Sequence, residues 1–105
     1  MNFKFIIIIF QTYRILVADE HGYHELVNLL IDNGAKLEIS NSHGDTILHQ
    51  AAERGHHLTI QNLIRHKIKL NRKDGSGKTA LMRAMGNRQH RAVKLLLEKG
   101  ADEKA

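Results

Sequence analysis

Two stretches of the sequence share one pattern, GDTILHQA at residues 44–51 and GKTALMRA at residues 77–84. Glycine, threonine, leucine and alanine recur at the same places, and the second stretch begins 33 positions after the first. The same offset relates His57 to His90. A pattern that returns at one fixed period indicates a repeat protein, in which similar structural units stack in a line.

A third copy precedes these two in the same register. His24 lies 33 positions before His57, and Gly34 lies 66 positions before Gly100, so the copies follow one another without a gap. No copy has enough apolar residues for a core of its own. Each copy must therefore bury its apolar residues against the neighbouring copy.

Each copy is predicted to hold two short helices. In the second copy, Thr46 is a suitable N-cap for a helix over residues 47–53, which Gly55 would end. Apolar spacing and stop signals predict the other helices at residues 57–66, at 80–87 and 90–99 in the third copy, and at 13–20 and 24–32 in the first. Polar turn segments connect the copies.

The unit G-x-T-x-L-x-x-A-x-x-x-G-H at residues 44–56 is similar to that of the ankyrin repeat family, and residues 95–102 resemble the family's repeat ending. The resemblance covers about residues 11–105. It implies an all-α solenoid of stacked helix–turn–helix units with protruding β-turn or hairpin tips. The expected division is an apolar segment at 1–10 and repeats at 11–40, with a divergent start, at 41–73 and at 74–105.

The sequence departs from the family's pattern at several places. Lys67 stands where the family has a glycine, and a lysine in a left-handed C-cap costs about 1 kcal/mol relative to glycine. Arg88 likewise replaces the glycine that ends the first helix of a repeat. The first copy lacks the Gly-x-Thr start.

The N-terminal run FIIIIF at residues 5–10 is too short for a signal-peptide core of about 7–15 residues or a membrane span of about 20. We expect it to extend the first helix or to cover the end of the stack. The alternative is packing against a partner.

Composition favours one domain, since the chain has 105 residues. The absence of cysteine excludes disulfides and thiolate metal sites and fits an intracellular, cytoplasmic protein, with a nuclear or secreted effector left open. Residues 1–40 carry three basic and five acidic residues, whereas the remainder carries 13 basic and 6 acidic ones. The basic part favours an acidic partner or a phosphate surface, and a merely solvated surface is the simpler interpretation.

No catalytic residue, cofactor or metal site is predicted. DGSGKT at residues 74–79 resembles the end of a nucleotide-binding loop, but Arg72 stands where that motif requires its first glycine. The eight histidines follow the repeat and do not form a zinc ligand set. The resemblance implies that the rings of His49 and His56 hydrogen-bond to nearby backbone.

A basic strip consists of Arg65, Lys67, Lys69, Arg72 and Lys73. It has no interleaved aromatic residues for base stacking, so it suits an acidic protein segment better than nucleic acid. Neither a small-molecule substrate nor a membrane is expected as a partner.

The resemblance implies that a partner protein binds along the turn tips and the first helices of the repeats, which form the concave face. By register these positions are Ser42, His43, Asp45, Gly75, Ser76 and Lys78 at the tips, Ser40 and Lys73 just before them, and Glu20, His21, Glu53, Arg54, Gly86 and Asn87 at the helix ends. We therefore expect a protein-interaction scaffold without catalysis. The alternatives are a regulatory part of a larger enzyme, channel or effector, and, less favoured, a small NTPase.

Overall fold

The computed structural model describes residues 20–34, 37, 40 and 42–102. In this part of the chain there are five α-helices, namely α1 (Glu20–Asp32), α2 (Ile47–Arg54), α3 (His57–Arg65), α4 (Ala80–Gly86) and α5 (His90–Glu98). The helices of the second and third copies end within one residue of their predicted bounds. The predicted segment at residues 1–10 lies outside the described residues.

The helices form two layers. In one layer α2 packs on α4, and in the other α3 packs on both α1 and α5. Within each copy the layers are joined, because α2 contacts α3 and α4 contacts α5. The predicted all-α solenoid is confirmed.

The repeated leucines and alanines form the core between the layers. Leu48 and Leu81 occupy the same register position in successive copies, and both are buried. Ala51 and Ala84 are fully buried as well, and their small side chains let the stacked helices approach closely. The buried core residues therefore recur at the same period as the sequence pattern.

The predicted break in the first copy is wrong, because α1 runs without interruption through residues 21–23. In the second copy the equivalent turn depends on Gly55, which is left-handed at φ 72°. Gly22 is instead helical, and a lone glycine inside a helix costs only about 1 kcal/mol relative to alanine. The surrounding helical preference therefore outweighs the glycine signal.

Helix ends in the later copies follow the local sequence. The side chain of Thr46 caps α2 as expected, and that of Thr79 caps α4 in the same way. Two non-glycine residues are left-handed, Lys67 at φ 61° and Arg88 at φ 56°. Since glycine occupies these positions in other copies, each substitution costs about 1 kcal/mol of conformational strain.

No helix in the described ranges is long and apolar enough to cross a bilayer.

Candidate partner-binding surface

The turn tips of the second and third copies lie side by side. An isolated antiparallel bridge between Ser40 and Thr46 closes the first tip. In the second tip the Asp74 amide donates to the Lys78 carbonyl oxygen at 2.8 Å. The two tips are joined directly, because the Gly75 amide donates to the carbonyl oxygen of His43 at 2.9 Å.

Glycine allows this close approach. A Cβ atom on Gly44 would lie 2.6 Å from the Gly75 nitrogen, and one on Gly75 would lie 2.5 Å from the His43 carbonyl oxygen. Both distances are far below ordinary van der Waals contact, and the obstructing atoms belong to the backbone. The spacing between the tips is thus set by backbone contact.

The DGSGKT turn has the geometry of a tip and not of a phosphate cradle. The Asp74 carboxylate accepts hydrogen bonds from the amides of Ser76 at 2.8 Å and Lys78 at 2.9 Å. A phosphate-binding loop presents such amides to its ligand. Here they are already bonded to a carboxylate, so the turn is closed on itself.

His49 links the two tips from below. Its Nδ1 accepts from the Thr46 amide at 3.2 Å and contacts the Thr46 hydroxyl at 2.9 Å. Because Nδ1 is an acceptor, the neutral ring carries its proton on Nε2, which donates to the Lys78 carbonyl oxygen at 3.0 Å. The structural role expected for His49 is confirmed.

Protonation of His49 would break the contact between Nδ1 and the Thr46 amide. Burial is the main cause that lowers the pKa of His49 below 6.5; nearby Arg83 lowers it too, while the Lys78 carbonyl, Asp74 and Asp45 oppose them. The unfolded chain therefore binds a proton at a higher pH than the folded chain does.

We expect stability to be full above pH 6.5 and to fall as the pH drops from 6.5 toward the lower pKa of folded His49. Urea denaturation between about pH 5 and 8 measures this dependence. A His49→Gln variant is the control. We expect it to be less stable, and its free energy of unfolding should no longer show the part of the pH dependence that His49 contributes. An unchanged slope in the variant would assign the pH dependence to other groups.

Arg83 lies at the centre of an ion cluster between the two repeats. Its guanidinium contacts Asp74 at 2.9 Å, pairs with Asp45, and lies 3.7 Å from Glu53. The amide of Gln50 also donates to Asp45 at 3.1 Å. One arginine of the third copy thus engages two carboxylates of the second copy and one of its own.

The cluster alters the proton affinity of Asp74 and Arg83. Burial alone raises the pKa of Asp74, but hydrogen bonds from Lys78, Ser76 and Arg83 outweigh it and lower the pKa below 3.8. Burial alone lowers the pKa of Arg83, but the hydrogen bond with Asp74 and the charges of Asp45, Glu53 and Asp74 raise it. The charged forms of Asp74 and Arg83 are therefore stabilised.

Some predicted surface residues are engaged inside the molecule. The expectation of an exposed tip position is wrong for Asp45, which is 7% exposed and paired with Arg83. Glu53 is partly covered by the same arginine, and Ser40 is half-buried and accepts from Arg72 at 3.3 Å. The repeat register predicted where these residues lie, but not whether their side chains face solvent or contact other residues of the chain.

The remaining predicted positions form what we name the tip surface. All its members are solvent-exposed, and they are Ser42, His43, Arg54, Lys73, Gly75, Ser76, Lys78, Gly86 and Asn87. The side chains of Glu20 and His21 lie outside the described residues. Partner binding by these residues stays a prediction.

A polar cleft of about 550 Å³ opens between the ends of α2 and α4. Glu53, Arg54, Asn87 and Gln89 line it. Gln89 donates to the Glu53 carbonyl oxygen at 3.1 Å and so bridges the two copies. Sequence reasoning found the first three residues and missed Gln89, which replaces the His56 of the preceding copy.

Within the described ranges, no group of three or more His, Asp or Glu side chains is arranged to hold a metal ion.

Comparisons with known proteins agree with this geometry. A family model described as ankyrin repeats (3 copies) matches residues 15–105. No curated protein matches significantly. A similar solved structure is the Bd0816 predatory endopeptidase from Bdellovibrio bacteriovorus in complex with immunity protein Bd3460, at 26% identity and a TM-score of 0.71. The match covers 79% of this chain and 46% of that one.

Proposed function

Because this chain belongs to the ankyrin repeat family, we propose that it binds a partner protein through its tip surface and the adjoining polar cleft. Ankyrin repeats are protein-interaction modules, and the similar solved structure is itself a complex of two proteins. The proposed role is recognition without catalysis.

The main observation behind this proposal is that some polar groups of this face are buried between the repeats, whereas others are exposed to solvent. Asp45, Asp74 and Arg83 hold the repeats together from within. The exposed side chains of His43, Lys78 and their neighbours project from tips whose backbones are fixed. A rigid scaffold that presents polar side chains loses little conformational entropy on binding.

The charge of this surface favours an acidic partner segment. Arg54, Lys73 and Lys78 are exposed, whereas the carboxylates of Asp45 and Glu53 already face Arg83. Opposite charges speed encounter and orient the partner on the surface.

A second candidate is a recognition module inside a larger protein, with an activity carried elsewhere. The chain spans less than half the length of the solved chain that it resembles, which favours this alternative. The binding surface is the same in both cases.

An affinity capture experiment with three forms of the chain tests the proposal. The double variant His43→Ala, Lys78→Glu changes two exposed tip side chains, while Lys94→Glu makes the same charge reversal on the exposed side of α5. We expect the double variant to capture at least tenfold less of its specific partner, since residues at the centre of an interface dominate the binding energy. Lys94→Glu should retain the partner. Equal losses, or no loss, would place the interface elsewhere.

A further inference from the structure

The basic strip lies apart from the first helices, at the end of α3 and along the segment that follows it. Arg65, Lys67, Lys69 and Lys73 are exposed, and Arg72 is half-buried. Lys73 belongs to the tip surface as well as to the strip. The other four residues lie outside the tip surface, at the end of α3 and in the segment that follows it.

Exposed cations outnumber exposed acids in the second and third copies. Three carboxylates of the second and third copies face Arg83. Among residues 42–102 the exposed acids are Glu98 and Asp102. The exposed cations are ten, namely Arg54, Arg65, Lys67, Lys69, Lys73, Lys78, Arg88, Arg91, Lys94 and Lys99. Such an excess attracts anions over a distance of about 10 Å at moderate salt.

Lys67 is held in a strained conformation at the middle of the strip. Its φ is 61°, and the equivalent residues of the other copies are Gly34 at φ 70° and Gly100 at φ 102°. Glycine would fit there without strain, whereas this chain places an exposed ammonium at that point. A cation near a helix C-terminus recovers part of the cost. Arg88 is left-handed as well, at φ 56°, so the strained backbone distinguishes Lys67 only together with its place in the strip.

A cleft of about 610 Å³ lies within the strip. Lys69, Leu70, Asn71 and Arg72 line it, and Leu70 is half-buried. Its walls are fixed to other copies, because Arg72 donates to Ser40 at 3.3 Å and the Asp102 amide donates to the Asn71 side chain at 2.8 Å. The cleft thus offers an apolar contact between positive charges.

We infer that the basic strip is a second recognition site, which binds an acidic protein segment carrying an apolar side chain. The carboxylates would meet the cations of the strip, and the apolar side chain would contact Leu70. Nucleic acid fits less well, since all five Phe and Tyr residues lie at or before residue 23 and the strip has no stacking platform. This site shares only Lys73 with the tip surface.

Fluorescence anisotropy with a labelled dodecapeptide of Glu-Glu-Leu units tests the site, with a thymidine dodecanucleotide as the competing class. The peptide should bind at about 50 mM salt and bind several-fold more weakly at about 200 mM. Lys69→Glu should weaken peptide binding at least tenfold. The tip variant His43→Ala, Lys78→Glu should bind the peptide as the wild type does, which separates this site from the proposed function.

Lys67→Gly is the most discriminating variant, because relief of backbone strain should raise its Tm whereas loss of the charge should weaken peptide binding. We expect its Tm to rise by about 4 °C while peptide binding weakens about threefold. Arg88→Gly is the matched control. It also replaces a left-handed cation, but at the end of α4, where the next residue, Gln89, bonds to the Glu53 carbonyl oxygen at the end of α2. Its Tm should rise in the same way with peptide binding unchanged.

Three results would overturn the inference. One is no peptide binding at low salt. Another is a diffuse attraction, seen either as wild-type peptide binding by both strip variants or as equal losses in Lys67→Gly and Arg88→Gly. The third is a dodecanucleotide that binds tenfold more tightly than the peptide, which would assign the strip to nucleic acid.

Discussion

Replacing Arg83 by methionine is expected to lower the free energy of unfolding by about 3–5 kcal/mol. The Asp74 side chain is 1% exposed and that of Asp45 is 9% exposed, so both carboxylates would remain buried without their cation. Methionine preserves much of the aliphatic volume, so lost packing contributes little. Urea denaturation at pH 7 measures the difference.

The control removes the two buried carboxylates that Arg83 neutralises, those of Asp45 and Asp74. In a triple variant with Asp45→Asn and Asp74→Asn, most of the lost stability should return, because no buried charge is left unpaired. The amide oxygen introduced by Asp74→Asn would still accept from the amides of Ser76 and Lys78, since both donate to Oδ1 of the present aspartate. A loss below about 1 kcal/mol in Arg83→Met would show that the cluster behaves as a surface ion pair.

Acid titration gives a second measure of the same cluster. The lowered pKa of Asp74 means that its contribution is full above pH 3.8 and is lost as the pH falls through the lower folded value. Without Arg83, a cause of that lowering disappears. The acid limb of the stability profile should therefore move to higher pH in Arg83→Met.

The fold was predictable because its signals are local and occur more than once. A threonine cap, a stop glycine and an apolar face each have a physical meaning, and a period of 33 residues repeats them in register. The one helix break placed wrongly, near Gly22, depended on a single glycine with no supporting cap. A signal that stands alone is outweighed by the helical preference of its neighbours.

It was less predictable which surface side chains form contacts inside the molecule. Asp45 and Arg83 are 38 residues apart, and only the stacking of two repeats brings them together. Register did contain a hint, because Arg83 occupies the position of Gln50 and both side chains contact Asp45. The sequence alone cannot separate such an internal partner from a residue that awaits a ligand.

Gly44→Ala is expected to lower the free energy of unfolding by about 2–4 kcal/mol, which combines a left-handed backbone with a steric clash. Gly44 has φ 77°, where any Cβ is strained. The new atom would also lie 2.6 Å from the Gly75 nitrogen, so the two tips must separate. That separation weakens the hydrogen bond from Gly75 to His43.

Gly77→Ala is the matched control, because Gly77 has φ 80° but a Cβ atom added there would meet nothing within 4 Å. It should lose only the conformational part, about 1 kcal/mol. The difference between the two variants measures the backbone contact between tips, by chemical denaturation of both under the same conditions. Equal losses would mean that the tips separate freely. In that case the spacing between His43 and Lys78 would not be fixed, and a preformed binding surface would lose its physical basis.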